Sequence, residues 1–450
     1  MSDLRRLLDE GKPIFGTDGV RGVAGSELTP ELAQAIGRAA GSWLRSGPVV
    51  VGMDTRRSGS MLSSALQAGF HAAGIDTIDV GVLPSGGISY FTESTSATMG
   101  AIVSASHNPA EDNGIKLLAA RGTKLPDEVE RELENRLREP GSKSALGGAI
   151  GFRSANDAAL TGYIDHLVST SRYSLGGLSI AVDCANGAAY RAAPELFRRL
   201  KAEAEVFAAE PNGTNINDGC GATHPEFLAG LAAGRIGVAF DGDADRVIAI
   251  DEDGHIANGD VVMAIIARHM KEQGRLKKNL VVTTVMANLG FHKSMAEAGI
   301  DVIQTKVGDR YVMEALIEHK GLLGGEQSGH IIFTEHNQTG DGLLTAVQLL
   351  NVVAGTGKEL RQLRAEAITE FPQVLKSVRV GRVAGLDEAT DLWDEVEKVE
   401  ASLGEDGRVL VRPSGTEPVI RVMVEALTEE AARRYADRLV EATRRSFQES

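Results

Sequence analysis

Residues 99–109 read Met-Gly-Ala-Ile-Val-Ser-Ala-Ser-His-Asn-Pro. The first five residues are small or apolar and favour a buried β-strand. Pro109 has no backbone N–H for a ladder, and Asn108 is typical of turns. The stretch therefore predicts a strand that ends in a polar loop, where the hydroxyl of Ser106 lies beside the imidazole of His107. Alone, such a serine is usually a turn former, so its role depends on the rest of the chain.

The alternation of strands and helices around this stretch defines the fold class. Thr29, Pro30 and Glu31 predict a helix start, with an N-cap, a proline at the first position and an acid in the first turn. Residues 48–52 predict a buried strand, and a helix over 58–73 and a strand over 76–80 follow. This order predicts an α/β protein with largely parallel sheets. Functional loops are then expected at the carboxyl ends of strands.

Composition shifts divide the chain into domains. A stretch rich in Pro, Gly and Ser at 140–148 predicts a linker. Phe371-Pro372 ends a third α/β segment, and the tail reads strand, helix, strand, strand, helix, which predicts a small α+β domain. The predicted domains are 1–150, 151–256, 257–371 and 372–450.

A second loop carries three carboxylates at alternate positions, in the order Asp241-Gly242-Asp243-Ala244-Asp245, followed by Arg246. Carboxylates this close repel one another, and such an array usually persists because a cation lies among the oxygens. A calcium-binding EF-hand loop would need Gly where Arg246 stands, and a helix where 247–250 predict a strand. The phosphatase pattern Asp-x-Asp-x-Thr/Val fails at Asp245. The loop therefore predicts a divalent hard cation, and we expect Mg²⁺.

Three further loops carry charged or polar side chains. The glycine-rich segment 15–22 predicts a flexible loop with one cation, Arg21. Residues 112–116 predict a turn that places Lys116 at the start of a strand. The loop 324–330 reads Gly-Gly-Glu-Gln-Ser-Gly-His and suits the close approach of a small polar ligand such as a sugar.

The tail contains a candidate phosphate-binding loop. Residues 412–418 read Arg-Pro-Ser-Gly-Thr-Glu-Pro, and Arg421 lies on the strand that follows. Two guanidinium groups, two hydroxyls and a glycine amide in one loop are typical donors to a phosphate.

Composition and charge limit the class of partner. The chain has 450 residues, of which 42% are hydrophobic and 24% charged, as in ordinary globular proteins. Its net charge of −15 argues against nucleic acid and acidic membranes. The cysteines, Cys184 and Cys220, have no zinc-ligand spacing. The first residues lack the apolar segment of a signal peptide, and no apolar run approaches the ~18 residues of a membrane span. We expect a cytoplasmic protein that binds neither nucleic acid nor membranes.

Four of these motifs, in this order, resemble those of the α-D-phosphohexomutase superfamily. They are Ser-Ala-Ser-His-Asn-Pro at 104–109, Asp-Gly-Asp-Ala-Asp-Arg at 241–246, Gly-Glu-Gln-Ser-Gly-His at 325–330 and Arg-Pro-Ser-Gly-Thr-Glu-Pro at 412–418. Segments 16–22, 183–188, 211–217 and 306–311 are similar to the bacterial members that act on glucosamine phosphates. The resemblance spans nearly the whole chain, although Met53 and the segment 83–87 depart from the usual pattern.

The resemblance implies four domains around a central cleft: three related mixed α/β domains and a small C-terminal α+β domain. It implies an isomerase that interconverts glucosamine 6-phosphate and glucosamine 1-phosphate through a phosphoserine and a glucosamine 1,6-bisphosphate intermediate. This reaction is a step towards UDP-N-acetylglucosamine and the cell wall. The implied partners are a sugar-phosphate substrate and a sugar bisphosphate activator, and the protein is expected to be a monomer or a homodimer.

The resemblance also implies roles for individual residues. The phosphoserine falls on Ser106, and the Mg²⁺ ligands fall on Asp241, Asp243, Asp245 and an oxygen of the phosphorylated Ser106. Substrate binding falls on Arg246, Glu326, Ser328, Arg412, Ser414, Gly415, Thr416 and Arg421. Arg21 and Lys116 are expected to contact the moving phosphoryl group. The acceptor of the hydroxyl proton stays open among Lys116, His107 and His330.

Other functions are compatible with the same residues. A related mutase could act on mannose or glucose phosphates, and a phosphatase would let water attack the phosphoserine. A sugar-phosphate sensor without catalysis is disfavoured, because the chain retains Ser106 and the three carboxylates.

Overall fold

The computed structural model describes residues 14–16, 18–95, 97–138, 144–380, 385–414 and 419–447. The chain forms two compact units. The large unit comprises residues 1–286 and 300–367, and the small unit comprises residues 287–299 and 368–450. Among the described residues, every helix is too short or too polar to cross a lipid bilayer.

The first sheet of the large unit has the strand order β1-β5-β4-β2-β3-β6. Its strands are β1 (Val20–Val23), β2 (Val49–Met53), β3 (Thr77–Val82), β4 (Met99–Val103), β5 (Asp112–Ala119) and β6 (Arg153–Ala155). Its helices are α1 (Pro30–Leu44), α2 (Gly59–Ala72), α3 (Ser85–Ser94) and α4 (Asp127–Arg138). Strand β2 pairs in parallel with β3 and β4, whereas β5 runs antiparallel to β4. Thr29 caps α1 as predicted, because its Oγ1 accepts from Leu32 N at 3.2 Å.

The second sheet has the order β11-β10-β9-β7-β8. Its strands are β7 (Ser179–Asp183), β8 (Glu203–Phe207), β9 (Ile236–Phe240), β10 (Val247–Ile250) and β11 (Ile256–Ala257). The helices of this segment are α5 (Ala159–Thr170), α6 (Ala189–Arg199) and α7 (Pro225–Ala229). Strand β7 pairs in parallel with β8 and β9, and β10 runs antiparallel to β9.

The third sheet has the order β13-β12-β14-β15. Its strands are β12 (Leu280–Thr284), β13 (Asp301–Thr305), β14 (Leu323–Gly325) and β15 (Ile331–Phe333). The helices between residues 259 and 367 are α8 (Gly259–Glu272), α9 (Leu289–Glu297), α10 (Asp309–His319), α11 (Gly342–Thr356) and α12 (Leu360–Ala367). Of these, α9 lies in the small unit. Strand β12 pairs in parallel with β13 and β14, and β15 runs antiparallel to β14.

The three sheets share one local arrangement. In each, a buried parallel strand ends in a polar loop, and the chain returns as an antiparallel neighbour: β4 to β5, β9 to β10, and β14 to β15. The three loops span 104–111, 241–246 and 326–330. The predicted α/β class is therefore confirmed, and the candidate functional loops occupy equivalent positions in three related sheets.

The small unit contains an antiparallel sheet in the order β16-β18-β17. Its strands are β16 (Gln373–Arg379), β17 (Gly407–Pro413) and β18 (Val419–Ala426), and its other helices are α13 (Thr390–Leu403) and α14 (Glu429–Phe447). The predicted order of strand, helix, strand, strand, helix is confirmed. Short 3-10 helices cover Gly147–Ala149, Lys277–Asn279, Leu386–Glu388 and Gly404–Asp406. The predicted boundaries at 150, 256 and 371 stay predictions.

Two local predictions in the first sheet are wrong. The glycine-rich segment contains a strand, β1, because Val20 to Val23 pair with Ile115 to Asp112 of β5. Lys116 does not begin a strand. It lies within the eight-residue strand β5, between β1 and β4, and only 5% of its surface is exposed. Both differences arise because pairing between distant segments outweighed the local turn signals.

Glu425 is a buried acid that organises the small unit. Its Oε2 accepts from Arg408 Nε at 2.8 Å and from Leu289 N at 2.9 Å, and its Oε1 accepts from Gln373 Nε2 at 2.8 Å. We expect Glu425→Gln to destabilise this unit by about 3 kcal/mol, because the change leaves the largely buried Arg408 without its counter-charge.

Hydrogen exchange at the β18 amides would measure this loss of stability. The matched control is Glu429→Gln on α14, which breaks only an exposed pair with Arg433. It should cost less than about 0.5 kcal/mol. Equal protection of β18 in both variants would contradict the prediction.

Candidate active site

Ser106 lies in the loop after β4 in an unusual backbone conformation. Its φ is 52°, in the left-handed region, where a residue other than glycine carries strain on the order of 1–3 kcal/mol. Its N–H donates to Ser104 Oγ at 2.9 Å, and its side chain is buried. Its Oγ donates to Asp241 Oδ2 at 2.5 Å. The turn thus directs the hydroxyl of the first sheet towards the carboxylates of the second.

The acidic loop after β9 has the properties of a cation site. Asp241, Asp243 and Asp245 each present an oxygen within 4.8 Å of the others, and all three side chains are buried. Within the described residues, Asp243 Oδ1 and Asp245 Oδ1 are buried oxygens without a hydrogen-bond partner. Buried, unsatisfied carboxylate oxygens are costly unless a cation or donor joins them. The donor set is oxygen only, which fits a hard divalent cation.

The pKa shifts of the three acids are unequal. Burial and the charges of Asp245 and Asp243 hold the pKa of Asp241 well above its usual range. Burial would also raise the pKa of Asp245, but Lys116 and His330 hold it well below its usual range. Nearby cations therefore outweigh the burial of Asp245, whereas Arg246 offsets only part of the burial and repulsion at Asp241.

Asp245 is one member of a closed ring of six alternating charges. The contacts are Asp245–Lys116 at 3.5 Å, Lys116–Asp18 at 3.3 Å, Asp18–Lys124 at 2.8 Å, Lys124–Asp309 at 2.6 Å, Asp309–His330 at 3.8 Å and His330–Asp245 at 3.5 Å. Burial opposes the charge of Lys116 and of His330, but the acids outweigh it: they raise the pKa of Lys116, and they raise that of His330 to about 9. The ring joins residues from the segments of all three sheets, because Asp245 belongs to the second.

His107 and Arg21 lie on the other side of the serine. The Nδ1 of His107 is 3.4 Å from Ser106 Oγ, and burial together with Arg246 and Arg21 lowers the pKa of His107 to about 4. Arg21 donates from Nη1 to Asn108 Oδ1 at 3.0 Å and also pairs with Asp18. Two guanidinium groups thus act on one imidazole beside the serine hydroxyl.

The loop after β14 brings Glu326 to the same region. Glu326 Oε1 accepts from Gly308 N at 3.1 Å. Asp245 is the main acid that raises the pKa of Arg246 and of His330, and the charge of Glu326 adds to this effect in both. Ser328 is exposed in the same turn. The large unit therefore brings together Arg21, Ser106, His107, Lys116, Asp241, Asp243, Asp245, Arg246, Glu326, Ser328 and His330.

The remaining predicted residues belong to the small unit. Arg412 and Arg421 are directly opposite each other on β17 and β18, and burial and Arg421 lower the pKa of Arg412. Within the described part of the chain, the Nε atoms of both arginines are buried without a partner. Facing guanidinium groups with free donors are suited to an anion. Ser414 is partly buried near them in sequence, whereas Gly415 and Thr416 lie outside the described residues.

Several site residues were missed by sequence reasoning. Ser85 Oγ donates to Asp243 Oδ2 at 2.7 Å, so it fixes one of the three acids. Arg56 and Asn217 bind the carbonyl oxygen of Ser106, each at 2.9 Å. Arg56 follows a buried strand, and the rule that functional loops lie at carboxyl ends of strands could have indicated it. The same rule applies to Ser85, which follows β3. Asn217 lies in the segment 211–217 that carries part of the resemblance, but no role was assigned to it.

Sequence comparison defines the class of this protein. Four models of the phosphoglucomutase/phosphomannomutase family match successive parts of the chain: α/β/α domain I at 12–143, domain II at 161–254, domain III at 258–371 and the C-terminal domain at 375–442. These matches define a four-domain sugar phosphate mutase, which is an isomerase. The predicted fold class, with three α/β domains and a smaller C-terminal domain, is confirmed.

Individual relatives narrow this class. The chain is 48% identical over 436 residues to phosphoglucosamine mutase of Desulforudis audaxviator, covering 95% of this chain and 97% of the relative. The chain therefore belongs to the phosphoglucosamine mutases within the phosphoglucomutase/phosphomannomutase family.

Solved structures agree with this assignment at the level of the fold. A phosphoglucomutase/phosphomannomutase family protein of Burkholderia thailandensis has a TM-score of 0.82 at 26% identity, over 97% of this chain and 98% of that one. An N-acetylphosphoglucosamine mutase of Aspergillus fumigatus, solved with GlcNAc-6P and magnesium, has a TM-score of 0.73 at 17% identity and covers 99% of both chains.

Proposed function

We propose that this protein interconverts glucosamine 6-phosphate and glucosamine 1-phosphate, with Ser106 as the phosphate carrier and Mg²⁺ held by Asp241, Asp243 and Asp245. The observation that carries the proposal is the 2.5 Å contact between Ser106 Oγ and Asp241, at the edge of a buried acidic triad. Transfer of a phosphoryl group from a serine is favoured by a cation next to it, because the moving group is negatively charged. When bound there, Mg²⁺ would supply positive charge that offsets the charge of the transferring group.

The chemistry proceeds in two transfers. The phosphoryl group on Ser106 Oγ passes to the free hydroxyl of the sugar phosphate, and the P–O bond to serine breaks as the bond to the sugar forms. The hydroxyl proton goes to one of Lys116, His107 or His330, which stay the candidates for this role. The resulting glucosamine 1,6-bisphosphate then returns its other phosphoryl group to Ser106.

The surrounding residues would orient the substrate. Fixed positive charge near Ser106 comes from Lys116, Arg21 and Arg246. Phosphoryl transfer needs such positioning and charge stabilisation more than it needs further covalent bonds to the protein. Glu326 and Ser328 offer acceptors and a hydroxyl donor to the sugar. In the small unit, Arg412, Arg421 and Ser414 would bind a phosphate group of the substrate. A sugar bisphosphate would serve as the activator that first phosphorylates Ser106.

The sugar preference gives this proposal its sharpest test. Gln327 stands in the loop 325–330 where family members acting on mannose and glucose phosphates typically carry Met, and Glu326 beside it offers negative charge to a 2-ammonium group. We expect kcat/KM to favour glucosamine 6-phosphate over glucose 6-phosphate by on the order of 1–3 kcal/mol, which is about 5- to 150-fold. Some turnover of glucose 6-phosphate should survive.

The measurement is a coupled isomerisation assay with glucosamine, glucose and mannose 6-phosphates, at the same Mg²⁺ and activator concentrations. Equal turnover of the three sugars would overturn the specific assignment and leave a general hexose phosphate mutase. A phosphate label separates the remaining alternative, because a mutase keeps it in sugar phosphate and a phosphatase releases it as free phosphate. Loss of activity in EDTA and recovery with Mg²⁺ is expected in the same assay.

A further inference from the structure

Arg56 lies directly after β2 and uses all of its donors inside the protein. Its side chain has no exposed surface. Nε donates to Asp54 Oδ2 at 2.8 Å, and the four Nη hydrogens go to backbone carbonyl oxygens of the loop that contains Ser106. These oxygens belong to Ser106 at 2.9 Å, Asn108 at 2.8 Å, Asp112 at 3.0 Å and Pro109. A guanidinium has five N–H donors, so none is left for a substrate phosphate.

Asp54 extends this arrangement to the other side of Ser106. Its Oδ2 also accepts from Ser104 Oγ at 2.6 Å, and Ser104 Oγ in turn accepts from the N–H of Ser106 at 2.9 Å. Both the N–H and the carbonyl of Ser106 are therefore fixed by one buried ion pair, Arg56 with Asp54. The left-handed φ of 52° at Ser106 is retained because both of its peptide groups are held.

The second sheet adds an independent support. Asn217, in the loop between β8 and α7, donates from Nδ2 to the carbonyl oxygens of Ser106 at 2.9 Å and Asn108 at 3.1 Å. Gly242 approaches the carbonyl oxygen of Ser106 so closely that a Cβ at position 242 would lie 2.5 Å from this oxygen. The carbonyl of Ser106 is thus bound from two domains at once.

We propose that Arg56 is a positioning residue for the phosphate carrier: with Asn217, it holds the left-handed turn that aims Ser106 Oγ at the acidic triad. This inference rests on the proposed function, since it concerns how Ser106 delivers its phosphoryl group. Arg56 touches no substrate, and it acts through the backbone of Ser106. The planar fork of arginine is required, because a lysine ammonium has three donors and cannot span four carbonyls and a carboxylate.

The test is Arg56→Lys, compared with Arg57→Lys on the exposed neighbouring residue. We expect kcat to fall about 100-fold, the effect of a misplacement of about 1 Å at a reacting group. The KM for glucosamine 1-phosphate should change less than about threefold, because the loops that bind the sugar are intact. Arg57→Lys should keep wild-type values of both constants.

The outcomes separate this inference from the proposed function. If the wild type does not isomerise glucosamine phosphates, the proposed function fails. If the wild type is active and Arg56→Lys keeps a wild-type kcat, or loses activity through KM alone, the positioning role is overturned.

A second variant covers the case in which Arg56→Lys does not fold. Asn217→Gly removes hydrogen bonds to the same two oxygens without leaving a buried charge, and glycine tolerates the φ of 58° at this position. It should lower kcat about tenfold at unchanged KM, since Arg56 still holds these oxygens. A folded Asn217→Gly protein with wild-type kcat would overturn the shared role.

Discussion

Ser106→Ala should lower the rate of isomerisation by at least about 1,000-fold, because the variant has no oxygen that can carry the phosphoryl group. The protein should still fold and bind sugar phosphates. The lost hydroxyl makes one short hydrogen bond to Asp241, and the supports of the turn act on the backbone of residue 106 rather than on its side chain. The measurement is kcat in the coupled assay, together with the unfolding midpoint of the variant.

Ser104→Ala is the informative comparison. Ser104 Oγ lies between Asp54 and the N–H of Ser106, so its loss should disturb the turn and reduce kcat without abolishing it. Ser402→Ala, on an exposed part of α13, is the control that should leave activity unchanged. Phosphopeptide mapping after incubation with a sugar bisphosphate should place the phosphate on Ser106. A label on Ser104 would contradict the assignment of the carrier.

The candidate loops could be predicted because their signals are local. Each of the stretches 99–109 and 236–246 contains a short apolar strand followed by polar residues, and each forms the loop after a parallel strand in its sheet. The glycine-rich stretch 324–330 predicted its loop without the strand before it, since Gly324 and Gly325 lie in β14. The apolar strand anchors the loop in the buried sheet, and the end of the strand determines where the polar side chains lie. A pattern confined to about ten residues is sufficient for both.

The supports of these loops could not be predicted in the same way. Arg56 is 50 residues from the carbonyl of Ser106 that it binds, and Asn217 is 111 residues from it. Lys124 and Asp309 are separated by 185 residues. Such partners are determined by how the sheets pack, and a lone polar residue in a loop has no periodicity that would indicate its partner.

Lys116 shows how the same limit produces an error. The residues 112–116 contain a turn signal, Asp-Asn-Gly, which predicted that the strand starts only at Lys116. In the structure residues 112–115 pair with β1, and Ile115 and Lys116 pair with β4. Lys116 is buried among Asp18, Asp243 and Asp245. The energy of the ladder and of three ion pairs decides the conformation, and none of these partners is adjacent in sequence.

Asp241→Asn and Asp245→Asn should both reduce activity strongly, but only Asp245→Asn should lower the stability of the metal-free protein. Each removes one of the three carboxylates proposed to bind Mg²⁺. We expect at least about 100-fold loss of kcat, since residues that only support metal ligands are already worth about 10- to 100-fold. Asp157→Asn, at an exposed position, should leave activity unchanged.

The two stabilities differ because the two acids have different neighbours. The raised pKa of Asp241 means that burial and the charges of Asp245 and Asp243 disfavour its ionised form. Asparagine removes this repulsion and can still accept from Ser106 Oγ. Asp245 has a lowered pKa because Lys116 and His330 favour its charge, so asparagine there leaves two cations without their shared partner.

In EDTA, we therefore expect the unfolding midpoint of Asp241→Asn to be equal to or above that of the wild type, and the midpoint of Asp245→Asn to be below it. Adding Mg²⁺ should raise the wild-type midpoint, since a ligand that binds only the folded state stabilises it by mass action, and should raise neither variant as much. If Mg²⁺ does not change the unfolding midpoint of the wild type, the proposal that the three carboxylates bind a cation is wrong. Equal destabilisation of the two variants would contradict the compensation of Asp245 by the charge ring. That compensation is the reason why the charge of Asp245 should stabilise the metal-free protein while the charge of Asp241 should not.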